Sequence, residues 1–209
     1  MKEIDLNAEF DLQSLVKKIV QTIKNGGLVA MPSDTCYGFV ADPESPIGRE
    51  KLYAFKDMPV DKPTSICVAD KEMLLDYADL DEVGLEILEI YMPGKLTMVV
   101  DQKNSSESLG LRLPEHALMC AVAKELGHGF YTTSANVHGK ETPYAVEVIK
   151  EQFGELYDGI DLVIDAGVLD YNDPSTVVKI KDGKLSVLRE GDLSEILRLN
   201  YSYDSEGSE

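Results

Sequence analysis

The sequence predicts an α/β fold in which a twisted, mixed β-sheet is flanked by helices. Segments with helical periodicity alternate with short apolar segments typical of strands through most of the 209 residues. Near the end, STVVKIKDGKLSVLRE contains two strand-like runs joined at Asp182-Gly183, which is a strong hairpin signal. Because helical crossovers favour parallel strands and a hairpin pairs them antiparallel, the sheet should contain both arrangements.

The helices are predicted from apolar residues at intervals of three and four. In the first, from Asp11 to Asn25, these residues form one face, Asp11 is a suitable N-cap and Gly26 ends the helix. The other predicted helices share this periodicity and span residues 47–56, 81–91, 115–126 and 143–153, the last with Thr142 at its N-cap.

The strands are predicted from short apolar or β-branched runs at 28–31, 64–68, 95–101, 110–114 and 129–133. The first of them is followed by MPSDTCYGF, which places hydroxyls, a carboxylate and a thiol at the end of a buried strand. These small polar residues either cap the next helix or form the wall of a ligand site. In the second case we expect Thr35 to offer its hydroxyl and Asp34 to fix the turn.

Composition places the chain among globular proteins, with 44% apolar and 28% charged residues. We expect one domain over residues 1–199 and a frayed polar tail over 200–209. No apolar run approaches the roughly 18 residues of a spanning helix, and the N-terminus lacks a signal-peptide core. We therefore expect a cytoplasmic protein with no membrane partner and with its three cysteines reduced.

Several common chemistries lack their motif in this chain. Three Gly-Lys pairs occur, but none within G-x-x-x-x-G-K-[ST], and the histidines lack zinc-ligand spacing. Neither Ser134 nor Cys36 lies in the motif of a covalent nucleophile. The sequence therefore predicts no catalytic nucleophile and leaves the identity of any metal unknown.

Hydroxyls and cations recur instead at the predicted ends of strands and helices. They lie in the segments PSDTCYG, FKDMPVDKP, PGKLT, LRLP, TTSANVHG, PSTVV and LREG. Loops at strand ends hold ligands in α/β sheets, and cations with small hydroxyls suit an anionic ligand. The set indicates a site for a ligand such as a nucleotide together with an amino acid.

These segments, in this order and at these separations, resemble the YrdC/TsaC family of threonylcarbamoyl-AMP synthases from about residue 12 to residue 192. The resemblance implies a single YrdC-like domain. It also implies a reaction in which L-threonine, bicarbonate and ATP, with Mg2+, give threonylcarbamoyl-AMP and pyrophosphate. Downstream tRNA-modifying proteins would then use the product. Direct tRNA contact, including binding of double-stranded RNA, is a further implied property.

The resemblance also implies the residues of the site. Those expected beside threonine are Thr35, Cys67, Arg112, Thr132 and Ser175. Those expected beside ATP are Lys56, Met58, Lys62, Thr97, Ser108, Ser134, Asn136, Thr142 and Arg189.

The chain departs from the family pattern at two positions that bear on phosphate binding. Met58 stands where an arginine is usual, and Lys95 stands where a proline is usual. We expect Lys62 and Lys95 to supply part of the missing charge. The alternatives are a YciO-like paralogue without synthase activity and an RNA-binding or nucleotide-binding protein, although the net charge of −18 disfavours RNA.

Overall fold

The computed structural model describes residues 2–8, 11–59, 63–105 and 107–201. Ten strands lie within these ranges: β1 (Lys2–Asp5), β2 (Val29–Pro32), β3 (Tyr37–Ala41), β4 (Ser65–Cys67), β5 (Leu96–Asp101), β6 (Ser108–Arg112), β7 (Phe130–Ser134), β8 (Leu162–Asp165), β9 (Thr176–Lys181) and β10 (Lys184–Arg189). They form one sheet in the order β1-β8-β2-β3-β7-β4-β6-β5-β9-β10.

Seven α-helices lie in the same described ranges. They are α1 (Leu12–Lys24), α2 (Pro46–Lys56), α3 (Lys71–Tyr77), α4 (Glu82–Tyr91), α5 (Ala117–Leu126), α6 (Val146–Phe153) and α7 (Ser194–Asn200). A 3-10 helix over Gly154–Gly159 follows α6. No helix in the described part of the chain is both long and apolar enough to span a bilayer.

The sheet is mixed, which confirms the predicted fold class. β5 pairs with β9 in parallel, whereas β9 and β10 form an antiparallel hairpin. Its turn residues Asp182 and Gly183 have φ values of 53° and 73°, a backbone conformation that the Asp-Gly pair tolerates well.

Successive side chains along a strand of the sheet pack into separate clusters of the core. Val29 and Met31 of β2 pack with α1 and α5, whereas Ala30 belongs to the cluster under α2 and α6 on the other face. The α1 helix begins and ends as predicted, because the Asp11 side chain accepts from the Ser14 N–H and Asn25 is the C-cap.

One local prediction is wrong, and one open alternative is settled. The helix expected from Pro143 begins at Val146, and its N-cap Ala145 makes no side-chain capping bond, so Thr142 is not a cap. The preceding backbone bonds elsewhere, because Pro143 O accepts from Tyr37 N and Tyr144 O accepts from Leu169 N. MPSDTCYGF turns between the antiparallel strands β2 and β3, which excludes a helix cap, the first of its two alternatives.

Candidate functional site

A cavity of about 400 Å3 collects residues from turns and strand ends across the sheet. Its lining comprises Ser33, Thr35, Cys36, Gly38, Lys56, Met58, Pro63, Thr64, Ser65, Thr97, Arg112, Thr132, Thr133, Ser134, Asn136, His138, Thr142, Pro174, Ser175 and Arg189. Hydroxyl groups and three cationic side chains provide most of its polar atoms. No Asp or Glu occurs in this described lining.

The turn between β2 and β3 is organised by Ser33. Its hydroxyl donates to Cys36 O at 2.7 Å and accepts from the backbone N–H groups of Thr35 and Cys36, each at 3.2 Å. The expectation that Asp34 fixes this turn is therefore wrong. The Asp34 carboxylate instead faces Arg112 and the loop after β6.

Arg112 ends β6 with its guanidinium against this turn. Nη2 donates to Asp34 Oδ1 at 2.5 Å and to Thr35 Oγ1 at 3.1 Å. Asp34 Oδ2 also accepts from the Glu115 backbone N–H at 3.2 Å. Arg112 Nε is buried and has no hydrogen-bond partner among the described residues. Because an unpaired buried donor is costly, this N–H is suited to an acceptor atom from a ligand.

A second arginine, Arg189, also belongs to the lining. Its Nε and Nη2 donate to Ser175 O at 3.1 and 2.7 Å, and Nη2 also donates to Ser175 Oγ at 2.8 Å. Ser175 Oγ lies 2.9 Å from Thr97 Oγ1. Burial, followed by the nearby charge of Arg112, lowers the pKa of Arg189. Guanidinium still remains charged, so the two arginines together favour an anionic ligand.

Lys56 crosses from the end of α2 to the loop after β7. Its ammonium donates to Ser134 O and Asn136 O, each at 2.6 Å, and to Asn136 Oδ1 at 2.9 Å. Asn136 Oδ1 also accepts from Ser134 Oγ at 2.5 Å, and Asn136 Nδ2 donates to Lys140 O at 2.7 Å. The network fixes the loop that follows Ser134. Within it, the Lys56 ammonium makes three hydrogen bonds to protein oxygens.

The structure brings most of the sequence-predicted site residues together. Those that line the cavity are Thr35, Arg112, Thr132, Ser175, Lys56, Met58, Thr97, Ser134, Asn136, Thr142 and Arg189. Lys62 lies outside the described residues.

Cys67 and Ser108 lie elsewhere. Cys67 is fully buried in the core cluster that contains Leu118 and Val122 of α5, while Ser65, two residues earlier, lines the cavity. Ser108 is four residues before Arg112 on β6, roughly 13 Å along the strand. Its hydroxyl contacts Asp101 Oδ1 at 3.4 Å.

Lys95 also departs from its expected place, because it is not among the lining residues. Its ammonium donates to Asn172 Oδ1 at 2.5 Å and lies 3.2 Å from Asp192 Oδ2.

Conversely, Thr64 and Ser65 line the cavity although the sequence motifs assigned them no role. Their position at the start of a predicted strand, directly after the segment that contains Met58, was the available signal.

Comparison with known proteins identifies relatives over nearly the whole chain. A family model for Sua5, YciO and YrdC proteins, described as telomere recombination, matches residues 21–191. A protein of Methanocaldococcus jannaschii with the provisional name threonylcarbamoyl-AMP synthase is 33% identical over 198 residues, covering 91% of this chain and 92% of the relative. The threonylcarbamoyl-AMP synthase of Mus musculus is 29% identical over 191 residues, covering 84% of this chain and 66% of the relative.

Solved structures share the fold. The crystal structure of P. abyssi Sua5 complexed with L-threonine has a TM-score of 0.83 at 23% identity, covering 97% of this chain and 62% of that one. E. coli YciO has a TM-score of 0.79 at 24% identity, covering 92% of this chain and 97% of that one. The chain thus spans less than two thirds of Sua5 and nearly all of YciO. The family match and the M. jannaschii relative confirm the predicted family, and the chain belongs to the Sua5/YciO/YrdC family.

Proposed function

We propose that the chain is an L-threonylcarbamoyladenylate synthase, a nucleotidyltransferase that forms threonylcarbamoyl-AMP and pyrophosphate from L-threonine, bicarbonate and ATP. The unpartnered, buried Nε–H of Arg112 beside a hydroxyl-lined cavity carries the proposal. The names of the M. jannaschii and mouse relatives and the threonine complex of P. abyssi Sua5 support it.

Arg112 binds the threonine carboxylate in this proposal. Asp34 and Thr35 accept from Nη2, so Nη1 and Nε carry the donors left for the ligand. The hydroxyls of Thr35, Thr132 and Ser175 line the same cavity and can bond the amino and hydroxyl groups of threonine.

Two successive substitutions at carbon and phosphorus complete the reaction. The threonine amine attacks the bicarbonate carbon, and loss of water leaves a carbamate. A carbamate oxygen then attacks the α-phosphorus of ATP, and pyrophosphate leaves. The chain supplies position and charge in this scheme, because neither step forms a bond to the protein. Arg189 lies where it can neutralise the carbamate or the phosphate once the ligand reaches Ser175.

Mg2+ enters as part of the ATP substrate. The described residues contain no group of three or more His, Cys, Asp or Glu side chains suited to a metal ion, and the described lining holds no carboxylate. We therefore propose that Mg2+ reaches the site bound to the phosphates of ATP.

A YciO-like protein without synthase activity is the second candidate, and Met58 favours it. Met58 lines the cavity without offering a charge or a hydrogen-bond donor, and Lys95 is engaged with Asn172 and Asp192. A cavity with fewer free cations binds a triphosphate more weakly. ATP affinity therefore separates the two candidates.

The product is proposed to pass to tRNA-modifying proteins in the cytoplasm, a compartment that suits three free thiols. Direct contact with tRNA, or with double-stranded RNA, is expected to be weak, because the net charge is −18. Two titrations at physiological salt, one with tRNA and one with ATP and threonine, compare the affinity for RNA with the affinity for the proposed substrates. Tighter binding of tRNA would favour the RNA-binding alternative.

Incubation with ATP, Mg2+, bicarbonate and labelled threonine tests the proposal. We expect equal amounts of pyrophosphate and labelled threonylcarbamoyl-AMP, with neither formed when threonine is omitted. Nucleotide binding without either product would instead support the YciO-like candidate.

A further inference from the structure

We propose that Lys95 and Asn172 are positioning residues, which fasten the segment 166–175 and thereby fix Ser175, at its end, in the cavity lining. This segment, here called the strap, connects β8 to β9 and has no regular secondary structure. The identity of the substrate that Ser175 meets rests on the proposed function, whereas the fastening rests on contacts within the chain.

Tyr144 holds one side of the strap. Its hydroxyl donates to Asn172 O at 2.6 Å, and its backbone O accepts from Leu169 N at 2.7 Å. The ring centroids of Tyr144 and Tyr171 are 5.3 Å apart. Tyr144 follows the lining residue Thr142 by two positions, so these contacts join the strap to that wall of the cavity.

Lys95 holds the strap through a second set of contacts. Its ammonium donates to Asn172 Oδ1 at 2.5 Å and to Asp192 Oδ2 at 3.2 Å. Lys95 precedes the lining residue Thr97 by two positions, and its backbone O accepts from Thr176 N at 3.0 Å. Asn172 is thus bonded to Tyr144 through its main chain and to Lys95 through its side chain.

Polar contacts carry much of this fastening. Val168 and Tyr171 are 82% and 77% exposed, so these two side chains contribute little buried apolar surface, whereas Leu169 packs partly buried against the core cluster under α2 and α6. A segment of this length gains much conformational freedom when its contacts are lost. The strap ends at Ser175, whose bonds to Arg189 and Thr97 depend on its place in the cavity. Losing the Lys95–Asn172 bond should therefore displace a substrate-facing hydroxyl without removing it.

Two single variants and their double variant test the coupling. Lys95→Ala and Asn172→Ala should each increase amide hydrogen exchange in residues 166–175 by about tenfold and weaken threonine binding by about three- to tenfold, the range for one partly exposed, charge-assisted bond. The effect of the double variant should fall short of the sum of the two single effects, because the Lys95–Asn172 bond is lost in both single variants. Lys95→Arg should restore most of both properties, since it keeps the charge and a donor.

Lys103→Ala is the matched control, because Lys103 pairs with Asp79 at 3.4 Å and does not line the cavity. It should leave exchange in the strap and threonine binding unchanged. Additive effects of the two single variants, or unchanged exchange in the strap, would overturn the fastening. Faster exchange with unchanged threonine binding would overturn the positioning of Ser175. If the wild-type protein binds no threonine, the proposed function fails, and the exchange data alone decide the fastening.

Discussion

Arg112 Nη2 lies 2.5 Å from Asp34 Oδ1, and the two side chains are only 10% and 8% exposed. The carboxylate pairs with one nitrogen of the guanidinium and sets its orientation, while Nε remains without a hydrogen-bond partner among the described residues. The pair therefore combines a structural contact with an available donor for a ligand.

Asp34→Ala should reduce the free energy of unfolding by about 3 kcal/mol, because it leaves a buried guanidinium without its carboxylate. Urea unfolding measures this change. The control is Asp79→Ala, which removes the exposed partner of Lys103 and should cost less than about 1 kcal/mol. Equal losses in the two variants would contradict the structural role of Asp34.

Much of the fold followed from local patterns in the sequence. The apolar face of α1 with its Asp11 cap, and the Asp-Gly hairpin of β9 and β10, are local features. β1 and β8 have only four residues each, and their parallel pairing depends on chain segments far apart. Short strands of this kind carry little periodic signal.

The sequence predicted which residues belong to the site better than it predicted the contacts that they make. Hydroxyls and cations at element ends indicated the lining residues, but the partners of those cations depend on tertiary contacts. Asp34 and Arg112 are 78 positions apart, and Lys95 and Asn172 are 77 apart. Sequence spacing alone could not indicate that Lys95 bonds Asn172 and Asp192 while Met58 remains in the lining.

Met58→Arg should tighten ATP binding by about tenfold, since an arginine there adds charge and a bidentate donor for phosphate. Met58→Lys should give a smaller gain, and Met58→Leu, which adds neither charge nor donor, should leave the affinity unchanged. Calorimetric titration of MgATP ranks the variants. Equal affinities for all of them would mean that phosphates do not bind near this position.

Lys56→Met should both destabilise the protein and reduce turnover. The substitution leaves three oxygens of Ser134 and Asn136 without the ammonium that they contact, which we expect to cost about 3 kcal/mol. Thermal unfolding without ligand distinguishes this role from a purely phosphate-binding one. The matched control is Lys103→Met. Wild-type stability together with weakened ATP binding would show that Lys56 acts mainly on the nucleotide.

Cys36→Ser should retain most of the activity, because the proposed reaction has no step that needs a thiol.

Burial raises the pKa of Cys36, so the neutral thiol is favoured in the folded protein. Alkylation by iodoacetamide at this residue should be slow at neutral pH and accelerate as the pH rises above about 8.5, the ordinary thiol value. Bound threonine should slow the alkylation of Cys36 further, since Cys36 lines the cavity. Peptide mass mapping separates Cys36 from Cys120, and rapid alkylation at pH 7 would contradict this expectation.

The central claim is that Arg112 receives the threonine carboxylate, and calorimetry with threonine and threoninol tests it most directly. Threoninol carries a neutral hydroxymethyl group in place of the carboxylate, so the wild-type protein should bind threonine at least about tenfold more tightly, as expected for a charge-assisted bond. Arg112→Ala should lose this preference, whereas Arg198→Ala, which removes an exposed arginine outside the cavity lining, should keep it. Equal preference for threonine in the wild type and in Arg112→Ala would contradict the account.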